Sequence, residues 1–219
     1  MVEKYRDFKA RSQSHDFSWC AQVCEQAFSL WLEIWGVGFR RLGIRKDKIN
    51  SDDFLGKKIH TLCYEDKPVA LVLSQELDLS RKSHQHSSYF NNFPEEIMSM
   101  MRRVSNAPST VLTYLTIHSA WRHRKTDLPI SDLLFSLAID DFKESKTENL
   151  VGYIRTDKTV HESFYRHGLE TVASSEAYNV PVDFCYAQKN QASLSSVSGV
   201  RDLVFKMKNK VQYIERMSA

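Results

Sequence analysis

The feature that most restricts how this chain can fold is an order repeated twice in succession: a β-prone run, a loop, then an amphipathic helical pattern. The first unit begins with "STVLTYLTIH", residues 109 to 118, rich in β-branched and aromatic residues and long enough for a central strand. The loop "SAWRHRKTDLPI" follows it. Ser131 then stands as the N-cap of a helix through "DLLFSLAIDDFKES", with Leu134, Leu137, Ala138 and Ile139 on its buried side. In the second unit "NLVGYI" is the strand, "RTDK" the loop and "TVHESFYRH" a short helix. Gly168 stops that helix, because glycine tolerates the left-handed conformation beyond a helix end. With two such units in the middle of a sheet, the crevice outside the carboxyl ends of their strands is the expected ligand site.

The flanking segments complete a mixed α/β sheet with helices on both faces. From Asp16, the residues Phe17, Cys20, Cys24, Ala27, Phe28, Trp31 and Trp35 recur at three- and four-residue steps, which predicts a helix ending at "GVG", residues 36 to 38. The runs "IHTLCY" and "VALVL", separated by "EDKP", read as a hairpin. "SRKSHQHSSYFNNF" reads as a long, exposed, mobile loop, and Pro94 opens the helix "EEIMSMMRRV". After the second unit, "ETVASSEAY" and "VPVDFCYAQ" make two last strands. A Ser-rich linker, 191 to 199, then precedes an amphipathic helix built on Val200, Leu203, Val204, Met207, Val211 and Ile214. The expected division is one domain over residues 1 to 190, followed by linker and helix over 191 to 219.

Composition removes several classes of function. In 219 residues, 42% hydrophobic and 26% charged residues are an ordinary globular mixture, and the net charge of +3 is spread among acids. Neither a nucleic-acid footprint nor a polybasic membrane tail is required. No signal-peptide pattern and no apolar stretch near ~20 residues is present, so a soluble, cytoplasmic protein without a transmembrane segment is expected. Cys20, Cys24, Cys63 and Cys185 form no pair of CxxC motifs and read as core thiols. His84 and His86 form an HxH pair without a third ligand at suggestive spacing, so no metal site is assigned.

The order of elements over residues 15 to 190 resembles the GNAT superfamily of N-acyltransferases, and the best local match is "HESFYRHGLE", residues 161 to 170. The family's last helix commonly carries a tyrosine and ends at Gly-Phe; Tyr165, Gly168 and Leu169 stand there in this chain. By that resemblance the phenol of Tyr165 would protonate the leaving thiolate as a general acid. The Phe- and Trp-rich first helix, Asp52 and Asp53 before the hairpin, "SSYFNNFPEEI", and His161, Phe164, Tyr165 and Arg166 are similar to the branch of autoinducer synthases and long-chain N-acyl amino acid synthases. Members of that branch move a fatty acyl group from acyl carrier protein, sometimes acyl-CoA, to an amine. The resemblance therefore implies an acyl thioester as co-substrate, no tightly bound cofactor, and an amine acceptor.

The chain also departs from the family. The usual glycine-rich loop, whose N–H groups cradle a pyrophosphate at a helix N-terminus, is replaced by residues 125 to 130, "KTDLPI", with no glycine, with Pro129 lacking an N–H and with Asp127 repelling phosphate. A carrier-protein donor escapes part of that objection, because its arm has no adenosine diphosphate. The donor would then be held by Arg122, Arg124, Lys125, Thr126, Ser131 and His161, the basic loop facing an acidic carrier-protein helix. The central strand lacks the Glu and Arg of autoinducer synthases, which leaves His118 as the candidate base, histidine being the side-chain type suited to accepting an amine proton. Tyr165 precedes Gly168 by three residues rather than four, so Phe164 can occupy the usual tyrosine position. Two other readings stand beside this one: an acetyl-CoA-dependent acetyltransferase, and a degenerate GNAT-fold protein that binds a ligand or partner without chemistry.

Overall fold

A computed structural model describes residues 8–12, 17–43, 51–90, 93–104, 107–122, 128–177 and 179–207. Within them seven strands form one sheet: β1 (Phe8–Ser12), β2 (Lys58–Tyr64), β3 (Lys67–Leu77), β4 (Ser109–Ile117), β5 (Asn149–Arg155), β6 (Glu170–Ala177) and β7 (Val180–Gln188). Their order across the sheet is β1-β2-β3-β4-β5-β7-β6. Every neighbouring pair is antiparallel except β4 and β5, the strands of the two repeated units, which run parallel at the centre. The expected hairpin is β2–β3. Its turn has two residues, Glu65 and Asp66, both with left-handed φ (48° and 59°), the geometry that matches the twist of the flanking strands.

Helices cover both faces. On one side α4 (Ile130–Glu144), α5 (Val160–Arg166) and α6 (200–207) bury Leu133, Leu134, Phe135, Phe164 and Val204 against Leu62, Val72, Leu112 and Ile154 of the sheet. On the other, α1 (Phe17–Arg41) packs Ala27, Leu30 and Trp31 on Leu71 and Leu73, and α3 (Glu95–Val104) packs Ile97, Met98 and Met101 on Leu77, Val111 and Val151. From Ala70 to Leu73, β3 alternates between the layers, with Ala70 and Val72 on the α4 side and Leu71 and Leu73 on the α1 side, as a strand buried on both faces requires.

Three expectations need correction. The first helix does not stop at residues 36 to 38 but continues to Arg41. Each interior glycine weakens a helix by about 1 kcal/mol; the contacts of Trp35 with Thr116 and Tyr114 of β4 and the burial of Phe39 hold the turn that contains them. A strand, β1, precedes α1 and pairs with β2, with Phe8 opposite Tyr64. The segment expected as a mobile loop holds α2 (Lys82–Gln85) and a 3-10 turn over Ser88–Phe90, because Phe90 and Leu79 are buried at its ends. In the Ser-rich segment 191–199 Ala192 and Ser195 are buried, and Val200, Val204 and Met207 of α6 belong to the same core as α4.

Two local features shape the centre of the sheet. Leu73 faces Thr113 and Leu71 faces Thr116, so β4 carries extra residues opposite Val72, and Tyr114 has a φ of 54°. This bulge is pinned by Thr116, whose Oγ1 donates to the Tyr114 carbonyl (2.8 Å) and accepts from Trp35 Nε1 (2.9 Å). Pairing between β4 and β5 ends at Leu112 and Gly152, although β4 runs on to Ile117 and β5 to Arg155. At that fork Phe164 lies against Gly152 so closely that a Cβ there would stand 2.3 Å from the ring.

Candidate active site

Where β4 and β5 part, a cleft of about 1120 Å³ opens. Its lining includes Val72, Leu112, Phe135, Ile154 and Phe164 from the α4–α5 layer, and Trp35, Thr113 and Tyr153 from the layer of α1 and α3. It therefore passes between the two strands from one face of the sheet to the other. Each strand turns toward it an edge that its neighbour no longer pairs, and such an edge accepts an extended polar chain as a strand would.

The α4–α5 wall is built on a buried carboxylate. Asp132, in the first turn of α4, is fully buried and receives Arg166 through two bonds, Nε to Oδ1 at 2.9 Å and Nη2 to Oδ2 at 2.8 Å. Ser195 Oγ donates to Oδ1 (2.8 Å) and Ser163 Oγ to Oδ2 (3.0 Å). Burial alone would raise the Asp132 pKa, but the hydrogen bonds from Arg166, Ser195 and Ser163 and the guanidinium charge hold it below the usual carboxylate value. The carboxylate is ionised and can only accept. Ser163 has thus committed its one proton, so the 2.7 Å contact between Ser131 Oγ and Ser163 Oγ is donated by Ser131. Ser131 lines the cleft and turns only lone pairs toward it. A further link, Ser136 Oγ to His167 Nε2 at 2.9 Å with His167 Nδ1 2.6 Å from the Ser163 carbonyl, ties α4 to the end of α5.

The wall beneath α1 is different. Thr113 lines the cleft and is only 5% exposed, yet its Oγ1 has no hydrogen-bond partner among the described residues. Gly38 of α1 lines it too, and a Cβ added there would meet nothing within 4 Å. One acid, Glu33, and one base, Arg41, lie on the same stretch of helix and border the same opening.

The residues singled out in the sequence are dispersed. Tyr165 does not line the cleft: it is 41% exposed, and its phenol donates to Asp183 Oδ2 (3.0 Å) and contacts Thr171 Oγ1 (2.9 Å) on the outer strands. The Thr171 bond lowers its pKa, but partial burial and the Asp183 carboxylate outweigh that and hold it above the ordinary value. Phe164 occupies the cleft position instead, as a one-residue rotation of about 100° on a helix dictates. His118 is also outside the lining; its Nδ1 accepts from the Ala120 N–H (3.2 Å) as a cap for the turn that follows β4. His161 bonds the Lys158 carbonyl through Nδ1 and faces Tyr165 rather than the cleft. Ser131 is not the N-cap, a position held by Pro129, but it lies in the cleft. Arg122 borders the opening, with Nε donating to the Ile117 carbonyl at 2.8 Å, whereas Arg124, Lys125 and Thr126 lie outside the described residues. His84 Nδ1 accepts from the Asp78 N–H (2.8 Å), and among the described residues no three His, Cys, Asp or Glu side chains are grouped to hold a metal ion. No helix among the described residues is long and apolar enough to cross a membrane.

No sequence-family profile matches the chain, and no curated protein sequence matches it. Solved structures do. FeeM, an N-acyl amino acid synthase from uncultured soil microbes, superposes with a TM-score of 0.55 at 11% identity, over 85% of this chain and 96% of that one. The fold is that of the GNAT N-acyltransferases. BjaI, a CoA-dependent acyl-homoserine lactone synthase, matches with a TM-score of 0.59 at 12% identity, over 92% of this chain and 90% of its own. An agmatine N-acetyltransferase matches with a TM-score of 0.60 at 11% identity, over 83% of this chain and 99% of its own. These are likenesses of backbone at 11–12% identity. Asp132, Ser163, Thr113 and Gly152 were not picked out from the sequence. Asp132 and Arg166 lie on different helices with β5 between them, and an unpaired hydroxyl has no sequence signature.

Proposed function

We propose that this chain is an N-acyltransferase that moves a long-chain acyl group from a thioester, carried by acyl carrier protein or coenzyme A, to an amine such as an amino acid. The observation that carries the reading is the loss of pairing after Leu112 and Gly152, which leaves two facing strand edges around a cleft. The donor's arm lies between those edges with its amides bonded as a strand's would be, and Ser131 accepts from one arm N–H. A β4 backbone N–H past Leu112 holds the thioester carbonyl oxygen as negative charge develops. The amine nitrogen attacks the carbonyl carbon, the C–N bond forms, the C–S bond breaks, and the proton lost by the amine reaches the departing thiolate through water. A thiol of pKa about 8.5 is a good leaving group, so no phenol need stand beside it.

The apolar depth of the cleft, with Leu112, Phe135, Ile154 and Phe164, supports a fatty chain over acetyl. Arg122 at the mouth, followed in the sequence by Arg124 and Lys125, suits an acidic carrier protein. A second reading, a GNAT fold that binds its ligand without chemistry, is favoured by the outward positions of Tyr165 and His118. A thermal-shift titration with acetyl-CoA, dodecanoyl-CoA and acyl-loaded carrier protein, followed by thiol-release assays, separates them. A donor at ~100 times its Kd stabilises by ~2.7 kcal/mol. Stabilisation and turnover by the long-chain donors are expected; stabilisation without thiol release in the presence of amines, or no shift with any donor, would reject the acyltransferase and favour the binder.

A further inference from the structure

The hydrogen-bond sense of each hydroxyl on the α4–α5 wall is fixed, and it decides what kind of group the cleft can recognise there. Ser163 Oγ has three neighbours: Asp132 Oδ2 at 3.0 Å, Arg166 Nη2 at 3.0 Å and Ser131 Oγ at 2.7 Å. A hydroxyl offers one proton and two lone pairs, a guanidinium only donates and an ionised carboxylate only accepts. Ser163 therefore gives its proton to Asp132 and receives one from Arg166 and one from Ser131. Turned toward Ser131 instead, the Ser163 O–H would leave its bare oxygen against a fully buried carboxylate. The order is held from the far side as well: Ser195 Oγ donates to Asp132 Oδ1 (2.8 Å) while it accepts from the Val197 N–H (3.1 Å). The charged side chains of the same rim are engaged with one another, Arg155 and Lys158 with Asp157, and Arg166 with Asp132 and Glu162. Among the described residues none of them donates to Ser131 Oγ, which lines the cleft with its proton spent inward.

We infer that this wall selects the donor arm by its hydrogen-bond sense: Ser131 takes an N–H and rejects an oxygen at that point of the arm, and Ser163 is the positioning residue that makes Ser131 an acceptor. On the acyl-transfer reading above, which this selection presupposes, an amide N–H facing Ser131 fills its free lone pair. An ester or ether oxygen in the same place brings lone pair against lone pair. Ser131 can turn its proton outward to meet that oxygen only by setting two bare oxygens, its own and that of Ser163, 2.7 Å apart. Rejection thus comes from a group that the arm never touches, since Asp132 fixes Ser163 and Ser163 fixes Ser131. Ser195 extends the same chain of control to the segment that follows β7.

The test uses the full chain and three probes: dodecanoyl-CoA and two analogues in which one or the other amide N–H of its arm is replaced by an ester oxygen. Their Kd values are measured by calorimetry without amine, and the Tm of each variant is measured in parallel. In the wild type the ester that faces Ser131 should bind roughly 10-fold or more weakly than the amide. In Ser163→Ala the Ser131 O–H has no inner acceptor and can turn to the ester, so that penalty should fall to about 3-fold or less. The penalty of the other ester should stay as it is. Ser131→Ala leaves the Asp132–Arg166 pair in place; it should weaken the amide donor and remove the same penalty, and it decides the matter if Ser163→Ala does not fold. Ester penalties within about 2-fold of wild type in both variants would overturn the inference while leaving donor binding intact. A penalty lost in Ser131→Ala but kept in a folded Ser163→Ala would overturn the role of Ser163. Binding of none of the three probes would overturn the thioester reading and this selection with it.

Discussion

The wall formed by α4 and α5 and the wall formed by α1 border one cleft, yet they are organised in opposite ways. The first is saturated: Asp132 accepts four hydrogen bonds, from two atoms of Arg166 and from Ser163 and Ser195, and each donor is fixed by another part of the fold. The second is left open, with an unpaired Thr113 hydroxyl and a bare Gly38. A saturated wall holds one geometry whether or not a ligand is present, which suits a donor arm that every substrate shares. An open wall takes its geometry from what fills it, which suits the variable partner of a transfer reaction.

The largest effect that this contrast predicts is at Asp132. Asp132→Ala strips the partner from a guanidinium whose side chain is about one-third exposed, and it leaves Ser163 and Ser195 without their acceptor. Loss of one member of such a buried pair costs about 3–5 kcal/mol. Urea unfolding should show that loss, and donor-induced stabilisation should fall with it. A loss below about 1 kcal/mol would mean that the wall does not depend on its carboxylate, and the contrast between the walls would fail.

Acid should attack the same layer. His60, buried beside Ser74 with Asp141 of α4 nearby, is pushed down to about 4, chiefly by burial. His167 is lowered too, again first by burial and against the bond to the Ser163 carbonyl. Both are neutral in the folded protein, whereas the unfolded chain takes up their protons at ordinary histidine pH. Stability is therefore complete above pH ~6.5 and declines as the pH falls toward 4, by up to roughly 3 kcal/mol for His60. Urea midpoints measured between pH 7 and pH 4.5 check this, and His60→Gln should flatten the slope. A slope that persists in full in both His60→Gln and His167→Gln would place the acid sensitivity elsewhere.

A smaller effect is expected at the fork itself. Gly152→Ala puts a methyl group 2.3 Å from Phe164 Cε1, so the ring must move from its edge-on contact with Phe135. Overpacking of this kind costs about 1–3 kcal/mol. Phe164→Leu in the same chain should recover part of the loss, and equilibrium unfolding of the two single variants and the double variant measures that coupling. Additive losses would show that Phe164 does not seal the fork.

These positions also show what could be read from the sequence. The strands and helices of both repeated units were legible because local period and turn chemistry agree there, as in "STVLTYLTIH" with its β-branched residues and in Gly168 with its φ of 84°. The crevice between the units followed from their order alone. The side chains within it did not. A helix rotates by about 100° per residue, so naming Tyr165 in place of Phe164 moved the chosen group from the cleft to the outer strands. Asp132 reads in sequence as a solvated first-turn acid, and only the packing of α5 and residues 191–199 over it creates the buried network. The helix ending expected at residues 36 to 38 failed for a related reason: local propensity favours a stop, while the contacts of Trp35 with Thr116 and Tyr114 override it.

The smallest effect is expected where the sequence pointed most directly. Tyr165→Phe removes a phenol that donates to Asp183 on a half-exposed surface, and Thr171 and Ser174 continue to donate to the same carboxylate. The stability change should be no more than about 1 kcal/mol, and kcat for acyl transfer should stay within about 2-fold of wild type. General-acid catalysis contributes about 100- to 10,000-fold, so a loss of that size in Tyr165→Phe would return the phenol to the mechanism and require α5 to turn during the reaction. Retained turnover would show that the phenol takes no part in the chemistry and would leave it to the groups that line the cleft between the two unequal walls.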